Sequence, residues 1–78
     1  MFLHVSEATY IKDYQLQLKF NNNEVKKVDL KNELYGEVFE PLKDKQFFKD
    51  FFISHNTIEW KNGADFAPEY LFEIGQKV

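Results

Sequence analysis

Residues 14–30, "YQLQLKFNNNEVKKVDL", decide how this 78-residue chain folds. Tyr14, Leu16, Leu18 and Phe20 alternate strictly with Gln15, Gln17 and Lys19, the period-2 pattern of a strand with one buried face. Three asparagines follow, and asparagine tolerates the left-handed backbone that hairpin loops need. On the return strand Val28 and Leu30 must share the face of Leu16 and Tyr14. Paired residue numbers therefore sum to even values, and the loop must hold an odd number of residues. A three-residue loop at 21–23 pairs Phe20 with Glu24 and Leu16 with Val28, and leaves Asn23 left-handed as in a bulged hairpin.

Upstream, residues 2–10 read as a strand in which Leu3 and Val5 alternate against His4 and Ser6, with a turn at Lys12-Asp13. Three antiparallel strands thus open the chain. Downstream, Asp29 is placed to cap a short helical turn over 30–35 that Gly36 ends, and residues 38–42 read as an irregular apolar crossing. Asp44 caps a helix of about two turns over 45–50, with Phe47 or Phe48 and Phe51 on its buried face. His55-Asn56 is a two-residue turn between strands 51–54 and 57–60. Its register pairs Ser54 with Thr57, Ile53 with Ile58, Phe52 with Glu59 and Phe51 with Trp60, giving one apolar face of Phe51, Ile53, Ile58 and Trp60. The tail, 67–75, is a short helix with Pro68 in its first turn, Leu71 and Ile74 toward the core and Gly75 as its stop. The fold expected is α+β: a three-stranded antiparallel meander followed by a hairpin, packed with two or three short helices in a single domain, 1–78.

Composition narrows the function classes. Nine Phe, four Tyr and one Trp supply a core built from rings, since each buried ring removes roughly 150–250 Å² from water. There is no cysteine, which excludes disulfides and thiolate metal sites. A net charge of −3 argues against a chain whose main work is neutralising phosphates. No leader or membrane-length apolar run is present, so a cytoplasmic location away from the membrane is expected.

The stretch "EWKNGADFAPEYL", 59–71, carries the candidate site residues Trp60, Asn62, Gly63, Asp65, Pro68 and Tyr70. As a structural corner, Trp60 anchors it, Asn62-Gly63 turns it with Gly63 at positive φ, and Asp65 caps the helix that follows. As a site, it offers an aromatic patch around Trp60 and Tyr70. A metal centre would have to recruit His4, His55, Asp65 or Glu69, which show no ligand spacing of the HExxH or HxH kind. Neither a nucleophile elbow nor a glycine-rich phosphate loop occurs, so no enzyme activity and no cofactor are expected. Lys12, Lys19, Lys26 and Lys27 could form a modest basic strip, which solvated strand faces explain as well.

Together, "Tyr14-x-Leu16-x-Leu18-x-Phe20", "Val28-Asp29-Leu30", "Phe39-x-Pro41-Leu42" and "Ile58-x-Trp60-x-Asn62-Gly63-Ala64-Asp65-x-x-Pro68-Glu69-x-Leu71" resemble the small bacterial proteins grouped as domain of unknown function 2442, over residues 5–72. Two departures stand out: Asn21-Asn22-Asn23-Glu24 in place of a more usual Asp-Gly turn, and Lys61 where proline is frequent. The resemblance implies a compact α+β fold without established activity. Longer relatives carry a C-terminal helix-turn-helix domain, which a chain ending at Val78 is expected to lack. It also implies an antitoxin-like role, inferred from gene neighbourhood. The function expected is a protein-interaction module whose partner is a small protein from a neighbouring gene, with homo-oligomerisation open. The alternative is a small nucleic-acid-associated or regulatory domain, although nucleic-acid binding is not expected through this domain alone.

Overall fold

The computed structural model describes residues 2–78. Strands β1 (Val5–Lys12), β2 (Gln15–Phe20) and β3 (Val25–Asp29) form the expected antiparallel meander. The β2–β3 register is the one that side-chain parity demands. Leu16 opposes Val28, Phe20 N–H donates to the Glu24 carbonyl at 2.9 Å, and Asn23 stands at φ 69°. Leu16, Leu18, Phe20 and Val28 are fully buried, so one face of the sheet forms the floor of the core.

β1 is more irregular than its alternation suggests. The pairing shifts by one residue between Val5 and Glu7, which carries Ala8 and Tyr10 onto the inner face that Val5 already occupies. The Ser6 hydroxyl donates to the Lys19 carbonyl at this bulge, satisfying a backbone group that the shifted ladder would otherwise neglect. The turn falls at Asp13-Tyr14 rather than Lys12-Asp13, with Asp13 at φ 47°.

Lys31–Glu33 is a single 3-10 turn whose N-cap position is Leu30, without a side-chain bond; the Asp29 carboxylate, expected as the cap, instead accepts from Lys31 N–H at 3.0 Å in an Asx turn just before it. The segment read as an irregular crossing is a second 3-10 helix, Glu37–Lys43, entered through Gly36 at φ 95°. Its compact turns let Pro41 sit inside it while Leu42 is driven into the core. Helix α1 (Lys45–Lys49) starts where Asp44 accepts from Gln46 N–H at 3.0 Å, and it buries Phe48.

β4 (Phe52–Ser54) and β5 (Thr57–Glu59) pair in the expected register through a turn in which His55 and Asn56 both take positive φ. Their apolar face is only half covered. Ile58 and Trp60 are wholly buried, whereas Ile53 is 42 % exposed, because a two-stranded hairpin twists its outer strand away from the core. The Val5 N–H donates to the Asn56 carbonyl at 2.9 Å, which anchors this hairpin to the edge of the main sheet.

Helix α2 (Pro68–Ile74) buries Leu71, and the chain then adds a strand absent from the sequence reading: β6 (Gln76–Lys77), antiparallel to β3. Two residues carry too little pattern to announce a strand. The sheet order is therefore β1-β2-β3-β6, beside the two-stranded sheet β4-β5. Gly75 ends α2 with an ordinary negative φ of −70°. Its glycine is required by approach instead: a Cβ there would stand 2.9 Å from the Cβ of Lys26.

Candidate functional site

The signature stretch folds into a further hairpin loop, closed by the bridge of Glu59 with Asp65. Trp60 N–H donates to the Ala64 carbonyl, and Gly63 N–H donates back to the Trp60 carbonyl, both at 2.9 Å. Gly63 stands at φ 90°, a region that a side chain enters only with strain. The Asn62 side chain fastens the loop twice. Its Oδ1 accepts from Ala64 N–H at 3.1 Å, and its Nδ2 donates to the Val38 carbonyl at 2.9 Å, tying the loop to the second 3-10 helix.

Asp65 does not cap α2. Its backbone pairs with Glu59, extending the hairpin by one residue, and the N-cap position belongs to Ala67 without any side-chain bond. The return strand is a single bridge, after which Pro68 opens the helix. The intervening Phe66 carbonyl accepts from the buried Thr57 hydroxyl at 2.6 Å.

Trp60 is 0 % exposed, so the expected surface patch around it is absent. Its indole packs on Phe48 and Phe66, and its Nε1–H donates to the Phe48 carbonyl at 2.8 Å. A buried tryptophan needs such a partner for its polar edge. The stretch thus divides: Trp60, Ala64 and Phe66 face the core, while Asp65, Ala67 and Tyr70 face outward.

That outward half meets residues 33–39 across the surface. Glu33, Tyr35, Phe39, Asp65, Phe66 and Tyr70 line an open depression of about 370 Å³, with Ala67 at its side. Phe39 and Phe66 stack at its base with ring centroids 4.9 Å apart. Tyr35 is 71 % exposed and Tyr70 38 % exposed. The Tyr70 hydroxyl donates to Glu33 Oε1. That hydrogen bond, together with partial burial and the Glu33 charge, pushes the Tyr70 pKa up to about 12 from 10.0. The hydroxyl is therefore a neutral donor at physiological pH. Residues 33, 35 and 39 stand some thirty positions away from the signature, and no local pattern could have joined them to it.

Other sequence candidates are dispersed. Among the described residues no three His, Asp or Glu side chains converge as a metal site would require. His55 Nδ1 lies 3.2 Å from Glu59 Oε1 on the exposed hairpin turn, while the His4 N–H donates to Asn21 Oδ1 at the edge of the main sheet. The lysine strip is divided between two faces. Lys26 opposes the buried Leu18, and its Nζ donates to the Phe72 carbonyl at 2.8 Å and lies 3.6 Å from the centre of the Phe72 ring. Lys19 pairs with Glu7 at 3.7 Å on the opposite face. No helix among the described residues is long and apolar enough to cross a membrane.

A family described as "Protein of unknown function (DUF2442)" matches residues 5–77, nearly the whole chain. No curated protein and no solved structure matches it.

Proposed function

We propose that this chain, which belongs to the DUF2442 family, is a non-enzymatic protein-interaction module, antitoxin-like in taking a small protein encoded by a neighbouring gene as its partner. The single observation that carries this reading is the depression at which the outward half of the signature meets residues 33–39. Exposed aromatic surface is costly to leave in water and is enriched at the centres of interfaces, where tyrosine supplies large contact area at small entropic cost. The hydrogen bond that holds Tyr70 to Glu33 fixes one ring in advance, which reduces the ordering cost of association.

Co-expression with the product of the adjacent gene, followed by size-exclusion chromatography, tests the proposal. The two chains are expected to elute together, and the double variant Tyr35→Ala/Tyr70→Ala is expected to separate them while keeping its native fold by circular dichroism. Separate elution of the unmodified chains, with no relief of any toxicity of the neighbour, would overturn it.

A further inference from the structure

We infer that the depression beside α2 receives an arginine side chain of the partner, an inference that rests on the interaction reading above. Two carboxylates, of Glu33 and Asp65, stand among aromatic rings, and among the described residues no basic one lines the walls. Glu33 gives Oε1 to the Tyr70 hydroxyl and keeps Oε2 as an acceptor. The Asp65 carboxylate has no side-chain partner among the described residues.

Elsewhere four of the chain's thirteen acids are neutralised by a cation. Glu7, Asp13, Glu24 and Glu40 are each paired with a lysine of the chain itself. Four lysines also stand over aromatic rings: Lys26 over Phe72, Lys45 over Tyr14, Lys49 over Tyr10 and Lys61 over Phe47. Lys45 does both at once, lying 3.1 Å from Asp13 Oδ1 and 5.9 Å from the centre of the Tyr14 ring. Around Tyr35 and Tyr70 acid and ring again stand together, and no lysine among the described residues lines the place.

A guanidinium suits this place better than an ammonium. It is planar, stacks on a ring face, and presents a fork of N–H donors to a carboxylate. All ten basic residues of the chain are lysines, so a second copy of it cannot provide the arginine. The occupant is therefore an arginine-bearing segment of a different protein.

The test is an NMR titration of the isotopically labelled full chain with three blocked tripeptides, glycine-X-glycine, in which X is arginine, lysine or citrulline. Arginine is expected to shift the backbone amides of Glu33, Tyr35, Asp65 and Tyr70 and to bind more tightly than lysine, while citrulline, its neutral isostere, leaves them unmoved. Asp65→Asn and Tyr35→Ala, both at exposed positions, should each weaken the arginine peptide by roughly tenfold, the worth of one charge-assisted contact. Equal response to citrulline, shifts centred elsewhere, or no shift with arginine at millimolar concentration would overturn the inference. If those failures accompany an intact complex with the neighbouring gene's product that Asp65→Asn leaves unchanged, the arginine receptor falls and the interaction module stands. Loss of both removes both.

Discussion

In the loop at 21–23 the N–H of Phe20 donates to the Glu24 carbonyl, and the N–H of Asn23 returns to the Phe20 carbonyl, each at 2.9 Å; in the loop at 61–63 Trp60, Ala64 and Gly63 make the same two bonds at the same lengths. The parallel extends to the side chains. Each loop follows a wholly buried ring, has an asparagine at its centre whose Oδ1 accepts from the backbone two residues on, and closes with a residue at positive φ. What differs is the surroundings. Phe20 meets Phe72 of α2 edge-on, and the neighbouring Asn21 clasps the chain start by accepting from His4 N–H and donating to the Phe2 carbonyl. Trp60 is held by α1, and Asn62 clasps the second 3-10 helix. One backbone device thus fastens a terminus in one place and the core's central ring in the other, so equivalent substitutions should have unequal costs.

The largest difference is expected at the buried rings. Trp60→Ala should cost about 3–5 kcal/mol and also leave the Phe48 carbonyl without its donor, so that chemical denaturation finds it at the severe end of that range and Phe20→Ala below it. Equal losses would mean that the two loops are energetically interchangeable.

Next come the positive-φ residues. Nothing lies within 4 Å of a Cβ built at Gly63, so Gly63→Ala isolates backbone strain and should cost about 1–2 kcal/mol. Asn23→Gly should change stability by less than about 0.5 kcal/mol, because strain relief is offset by the freedom glycine gains in the unfolded chain. A thermal melt of both variants separates loop geometry from loop surroundings.

The central asparagines sharpen the contrast further. Asn62→Ala removes two bonds, one of them to a distant element, and should cost about 1 kcal/mol; Asn22→Ala loses two bonds to nearby Glu24 alone, the side-chain one long at 3.4 Å, and should cost about half of that.

The smallest effect concerns pH. Tyr70 has its pKa raised from 10.0 to about 12, so the Glu33 bond contributes fully below about pH 10 and its contribution is lost as pH rises through about 12. Tyr70→Phe should remove that alkaline dependence, measured as the change in denaturation midpoint between pH 9 and pH 11, while leaving the loop at 61–63 intact.

The two loops were not equally legible. The first lies between strands long enough for alternation to dictate register, and parity demanded an odd loop, which the three asparagines fill. The second returns through one bridged residue, Asp65, too short to show any period, and the proline soon after it imitates a strand-to-helix corner with an acid as its cap. Lys26 misleads in a related way. Parity with Val28 places it on the inner face, yet charge suggests solvent, and only the Phe72 carbonyl and ring make that position tolerable.

By itself the sequence determined the meander, its register and the hairpin turn at His55-Asn56, because these follow from side-chain period and from residues that tolerate positive φ; the core it expected to be built from rings is instead mostly aliphatic, with Phe20, Phe48, Trp60 and Phe66 its buried rings. Tertiary structure alone decided the bulge in β1, the added strand β6, the burial of Trp60 and the meeting of Glu33 and Tyr35 with Asp65 and Tyr70. Each of these depends on groups far apart in the chain, and a local pattern cannot encode which distant surface satisfies a backbone carbonyl, covers a ring or leaves a carboxylate unpaired.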